Sequence, residues 1–272
     1  MYPTKYHRPK SVTEAAALFV SLRDAAYLAG GHTLLPAMKA RRAAPANLID
    51  LRHIPDLTGI DSSAGRVSIG AAVTHAEVAA SPEIQSTIPA LASLAGAIGD
   101  AQVRHLGTLG GSVAANLPAA DYVAAILALA ASIHTNARII EVDDLFVGRL
   151  RTALQSGEIV TKVTIEAPSA AGYNKVRNPA SHYALAATFV ARHVDGSVRV
   201  AVIGAGKDGV FRWSEAESAL VDRFDAAALN GLAVDQSQLI DNFHGSSAYR
   251  AQLVAVTAHR AVEDAARTLI ER

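Results

Sequence analysis

The chain has 272 residues, half of them hydrophobic and 18% charged, which suits one large globular domain or two ordinary ones. Its 25 Lys and Arg balance 25 Asp and Glu, so no net field draws it to nucleic acid or to an anionic membrane. Cysteine is absent, which excludes disulfides, thiolate catalysis and cysteine-ligated iron–sulfur clusters within these residues.

The opening residues lack the apolar core of a signal peptide, and the longest apolar run, 122–133, is too short to span a bilayer. A soluble, cytoplasmic protein without a transmembrane segment is expected. Residues 2–10 form an extended arm. Ser11 and Glu14 have the spacing of a capping box for an amphipathic helix over 15–21. The apolar run 26–29 predicts a strand that enters a glycine loop and then a helix over 33–39, with Pro36 in its first turn. A strand follows at 47–51, then a hairpin of 57–60 with 67–69. Thr74 starts another helix, Ser81-Pro82 breaks it, and the apolar spacing predicts one helix over 88–103. A buried helix over 121–133 precedes strands at 138–142 and 158–165. The Pro168–Gly172 cluster is the best boundary. Beyond it, strands at 173–177, 184–193 and 197–202 form an antiparallel sheet, with Asp195-Gly196 as a hairpin turn. Helices are expected at 214–221, at 225–232 and, rich in alanine, over Ser247 to Glu271. There is no internal repeat.

Two stretches carry the chemistry. In Thr108-Leu109-Gly110-Gly111-Ser112-Val113-Ala114-Ala115-Asn116, hydroxyl and amide side chains surround a glycine pair, with Asp121 just beyond. In Ala29-Gly30-Gly31-His32-Thr33-Leu34-Leu35-Pro36 a similar pair precedes a helix start. Glycine turns can aim successive N–H groups at one point and make an anion site. Either stretch alone is most simply an ordinary turn; together they suggest one ligand with a long anionic middle, such as a dinucleotide pyrophosphate. A third stretch, Val202-Ile203-Gly204-Ala205-Gly206-Lys207-Asp208-Gly209, fits the Rossmann fingerprint by letter. That fingerprint works only if a helix begins within the glycines. Here a β-like run follows and the preceding strand is antiparallel, so it is read as a turn at a strand end.

With these motifs placed, the chain resembles the FAD-binding medium subunit of the molybdenum hydroxylases (xanthine dehydrogenase and aerobic carbon monoxide dehydrogenase flavoproteins). The likeness runs through Tyr6 to Ala15, the two glycine stretches with Val103 to Gly107, then Pro118 to Asp121, Gly157 to Val160 and Tyr173 to Arg177. It implies an α+β fold. Residues 1–170 would be a two-subdomain FAD-binding unit of the vanillyl-alcohol-oxidase/PCMH type, with a boundary near 55. Residues 171–272 would be a C-terminal domain with a three-stranded antiparallel sheet and helices. It also implies non-covalent FAD, with main-chain N–H groups of Ala29, Gly30, Gly31, His32, Thr33 and Leu34 on the pyrophosphate and Thr108, Gly111 and Ser112 opposite. Asn116 and Asp121 would bind on the adenosine and ribitol side, main chain near Val160 would meet the polar ring edge, Tyr173 would cover the isoalloxazine, and Lys175 would place a positive charge near it. For Asp121 a helix N-cap is the alternative or an added role, for Tyr173 an interface, and for Lys175 a solvated strand position. His75, His105 and His182 lack metal-ligand spacing and read as surface or core residues; no catalytic or metal residue is expected. Departures from the family pattern are Leu117 in place of an acid, His182 in place of an aspartate, and a short 130–152 segment.

The implied function is electron transfer from partner [2Fe-2S] clusters through FAD to an external acceptor. Molybdopterin would lie on a large subunit and the clusters on a small one, in a dimer of heterotrimers. Two other readings stay open: a stand-alone FAD oxidoreductase, and a non-catalytic nucleotide-binding or assembly module.

Overall fold

The N-terminal arm is not free: its residues enter a sheet. In the computed structural model, which describes residues 1–270, β1 (Lys5–His7), β2 (Ala25–Leu28) and β3 (Asn47–Asp50) form a parallel sheet in the order β1-β3-β2. Its central strand is buried along its whole length. The crossovers are α1 (Val12–Ser21) and α2 (Leu34–Lys39). Ser11 Oγ accepts the Glu14 N–H at 3.1 Å, but the Glu14 carboxylate takes the Lys10 N–H instead of closing the box on Ser11.

A second, antiparallel sheet has the order β4-β5-β10-β6-β7. Its strands are β4 (Ile60–Ser63), β5 (Arg66–Gly70), β6 (Ser132–Thr135), β7 (Ile139–Glu141) and β10 (Val160–Glu166), and a small hairpin of β8 (Phe146–Gly148) and β9 (Arg151–Thr152) stands beside it. The first hairpin turns at Ala64-Gly65, both left-handed, at the end of the turn expected over 61–65, and its first strand lies a few residues later than the expected 57–60. Between β5 and β6 run α3 (His75–Ala80), α4 (Pro82–Thr87), α5 (Pro89–Gly96), α6 (Ala101–Leu106), α7 (Leu109–Ala115) and α8 (Asp121–Ala128); α9 (Val142–Leu145) follows β7. Thr74 and Glu77 close a full capping box at α3.

The single helix expected over 88–103 is two. Gly99 takes φ +48, and Asp100 Oδ1 accepts the Val103 N–H at 2.8 Å to start α6, so a glycine stop and an aspartate N-cap override the apolar spacing. The helix expected to reach 133 ends at Ala128, because Ala130 is left-handed and the next residues pair as β6. All eight residues of α8 are buried.

The third sheet is antiparallel, β11 (Ala170–Arg177), β12 (Ala184–Arg192), β13 (Val198–Ile203) and β14 (Phe211–Arg212). The three expected strands are joined by a two-residue edge strand. Alternation sorts its faces. Ala187, Phe189, Ala191, Ala201 and Ile203 pack toward the second sheet's core. Ala186, Val190, Val200 and Val202 pack under α10 (Ser214–Asp222) and α11 (Ser247–Ile270). Residues 226–229 form a 3-10 turn rather than the expected helix; Glu271, the predicted end of the last helix, lies outside the described residues. The fingerprint-like stretch ends β13 at a left-handed Gly204 and leads into β14, with no helix among its glycines. No helix of the described residues is long and apolar enough to cross a membrane.

Candidate functional site

The end of β2 and the start of α7 meet. Gly30 lies so close to the α6–α7 connection that a Cβ on it would sit 2.1 Å from the Leu106 carbonyl oxygen and 2.6 Å from Gly107 Cα. A Cβ on Gly111 would come within 3.4 Å of Ala29 Cβ. The two glycine stretches therefore form one seam, and both line a cleft of about 470 Å³. Asp121, Val160, His75 and Tyr183 are also on its walls.

The stretches are not equivalent. Gly31 is left-handed, φ +76, and turns the chain from β2 into α2. No described residue accepts the N–H groups of Gly31, His32, Thr33 or Leu34. These donors stand free at the start of a helix, where anions are favoured. The second stretch is no glycine loop. It is the first turn of α7, with Thr108 as N-cap and its Oγ1 accepting the Gly111 N–H at 3.1 Å. The N–H groups of Leu109, Gly110 and Ser112 go to Val73, Ala71 and Thr108 carbonyls at 2.9 to 3.0 Å. Its offer to a ligand is a wall without side chains at Gly110 and Gly111 and the half-buried Ser112, not a second set of free main-chain donors.

Three of the roles expected from the sequence change with placement: Asn116, Tyr173 and Lys175 do not line the cleft. Asn116 is the left-handed C-cap of α7, φ 42, and its amide donates to Gly148 and Arg151 carbonyls at 3.0 and 2.9 Å. It ties α7 to the β8–β9 hairpin. Tyr173 and Lys175 converge instead on Asp121: Oδ1 accepts the Tyr173 hydroxyl and, at 2.7 Å, Lys175 Nζ. The Lys175 and Asp121 side chains are only 3% and 4% exposed. Lys175 is thus neither solvated nor a free positive charge in the cleft; it is matched to a buried carboxylate. Burial and the Asp121 charge push the Tyr173 phenol well above its usual range. The N-cap alternative for Asp121 is not realised, since Ala120 occupies that position without a side-chain cap.

His75, which reads from the sequence as a core or surface residue, is at the cleft. Its place as first residue of α3 follows from the Thr74 capping box, but only the tertiary fold brings α3 to the α6–α7 connection, where the His75 N–H donates to the Gly107 carbonyl at 3.0 Å. Tyr183 likewise carries no local signal of a place at the cleft. It follows His182, which takes a left-handed φ of +60, a conformation that histidine adopts more readily than most residues.

Burial, with His32 and Arg104 nearby, lowers the His75 imidazole from 6.5 to about 4. A group depressed in the fold stays neutral there while its unfolded form takes a proton, so its contribution is complete above about pH 6.5 and is lost as pH falls toward 4. Between about pH 7 and about pH 4.5, wild type is expected to lose about 2–3 kcal/mol more than His75→Gln in urea unfolding. Equal losses would show that His75 titrates normally in the fold.

A mixed α+β scaffold that closes two glycine stretches on one cleft, with free N–H donors at 31–34, suits a dinucleotide. The chain belongs to the family of FAD-binding subunits of the molybdenum-containing dehydrogenases: residues 2–168 match the family described as the FAD binding domain in molybdopterin dehydrogenase. It is 35% identical to the nicotine 6-hydroxylase medium subunit of Paenarthrobacter nicotinovorans, over 96% of both chains. It is 34% identical to the carbon monoxide dehydrogenase medium chain of Afipia carboxidovorans, again over 96% of both. It superposes on a chain of the crystal structure of Cu,Mo-CO dehydrogenase with a TM-score of 0.89 at 33% identity, covering 98% of this chain and 100% of that one. The residues present fit the cofactor: unmatched N–H donors at 31–34 suit a pyrophosphate, and the bare wall at Gly110 and Gly111 permits close approach of a large ligand.

Proposed function

We propose that this chain is the FAD-binding electron-transfer subunit of a multi-subunit molybdenum hydroxylase. The observation that carries this reading is the seam at which Gly30 and Gly111 bring both glycine stretches into one cleft. The bound FAD supplies the redox chemistry, taking electrons from partner [2Fe-2S] clusters and giving them to an external acceptor. Molybdopterin is held by a large partner subunit, and the assembly is a dimer of heterotrimers in the cytoplasm.

The chain's own residues bind and orient. The N–H groups of Ala29 to Leu34 hold the pyrophosphate, His32 without a covalent bond. Thr108, Gly111 and Ser112 close over it, with the Ser112 hydroxyl as donor. Asp121 accepts from a ligand hydroxyl, and main chain at Val160 faces the ring edge. Tyr183, 48% exposed at the cleft, offers an aromatic face there in place of Tyr173. Asn116, Tyr173 and Lys175 support the site from behind. Residues 1–170 form the FAD-binding unit, divided near 55, and 171–272 the C-terminal domain.

Affinity purification of the tagged chain from its own cells tests the assembly. Two further chains should co-purify, with molybdenum and iron in the eluate. A lone chain with full substrate turnover would support the stand-alone oxidoreductase instead.

A further inference from the structure

His75 has one polar atom with nowhere to go. The residue is buried, with a relative exposure of 6%. Nδ1 is sealed from solvent and has no hydrogen-bond partner. Tyr122, itself fully buried, packs a tilted ring against the imidazole at 5.2 Å between centroids. Yet the residue lines the cleft, so the edge that reaches the cleft is the one bearing Nε2. That atom lies beside Gly107: a Cβ there would come within 2.5 Å of Nε2. Gly107 is also where Gly30 abuts the α6–α7 connection. Nδ1 is unmatched in either tautomer, but a buried N–H without an acceptor is rarer in proteins than a buried acceptor without a donor. The proton therefore belongs on Nε2, directed at the junction of the two glycine stretches.

We propose that His75 is a cofactor-binding residue, a neutral imidazole whose Nε2–H donates to an anionic phosphate oxygen of the dinucleotide at that junction. This rests on the FAD reading of the cleft. Burial lowers the basicity of the ring in the ligand-free chain, so the donor presented to the ligand is a neutral imidazole N–H. It adds a side-chain donor to the main-chain donors of 31–34.

The full chain, stripped of flavin, is titrated with FAD and with riboflavin, which lacks phosphate. His75→Leu should weaken FAD binding about 10- to 100-fold, as loss of a hydrogen bond to a charged group does, and leave riboflavin affinity unchanged. His75→Gln, whose amide N–H can take the place of Nε2–H, should return FAD affinity to within a few-fold of wild type. Nitrogen NMR of the imidazole should show the Nε2–H tautomer and a shift of Nε2 on FAD addition. His75→Leu binding FAD as wild type does, an Nδ1–H tautomer, or equal losses for FAD and riboflavin would each overturn the inference while the FAD reading stands. A wild-type chain that takes up no FAD overturns that reading and this inference with it.

Discussion

Gly30→Ala should weaken FAD uptake by at least about 100-fold. One methyl group at this position meets main chain, not a yielding side chain: the Leu106 carbonyl oxygen at 2.1 Å and Gly107 Cα at 2.6 Å. Real Cβ contacts are never that short, so the end of β2 must move away from the α6–α7 connection and the seam must open. A displacement of this order at a site that depends on several aligned donors forfeits most of their joint contribution, and two to three such hydrogen bonds to a charged group account for about a 100-fold change. Gly111→Val gives an independent check without a main-chain collision. Its Cβ would meet the Thr108 hydroxyl at 2.8 Å and Ala29 at 3.4 Å, and its branches would fill the seam. Flavin titration of both variants, with circular dichroism to confirm folding, measures the effect. Folded variants that bind FAD as wild type does would remove the seam from the site.

Lys175→Met should cost about 3–5 kcal/mol of stability. The ion pair with Asp121 is buried on both sides, and removing one partner leaves a nearly buried carboxylate without its counter-charge. The Tyr173 hydroxyl remains on the same oxygen but brings no charge. Replacing both members, Lys175→Met with Asp121→Asn, should recover most of the loss, because the larger part of it is the stranded charge rather than the attraction of the pair. Urea unfolding of the two single variants and the double variant reads this directly. A loss within about 1 kcal/mol for Lys175→Met would mean that water reaches Asp121 and that the pair is a surface one. The arrangement has a consequence for the site as well. Asp121 is held by one oxygen from β11, so that strand contributes to the cleft indirectly, through the carboxylate at the start of α8.

What the sequence disclosed, it disclosed where the cause is local. Thr74 and Glu77 specify a helix start by their spacing, Asp195-Gly196 a hairpin, and the apolar run at 184–193 a strand. The two glycine pairs marked the seam, since no other residue permits main chain to approach main chain as Gly30 does. The rest depended on partners distant in sequence. Thr108 has the signature of an N-cap, yet the adjacent glycines suggested a turn; helical hydrogen bonding and packing against Ala71 override their low helix propensity. Lys175 and Tyr173 look like strand residues with free side chains until β11 is set against α8, more than fifty residues away in the chain. Asn116, read as a ligand group from its place beside the glycines, has both amide hydrogens committed to a hairpin over thirty residues further on. His75 carried no local mark at all, because its meaning comes from the orphaned nitrogen that only the folded chamber creates.

The most direct measurement is the flavin content of the purified chain. Visible absorption is recorded as isolated and after addition of FAD to the stripped protein, then again on the supernatant after acid precipitation. The expected result is equimolar flavin, taken up without any partner chain and released entirely to the supernatant. A colourless protein that ignores added FAD, or a colour that stays with the precipitate, would contradict it.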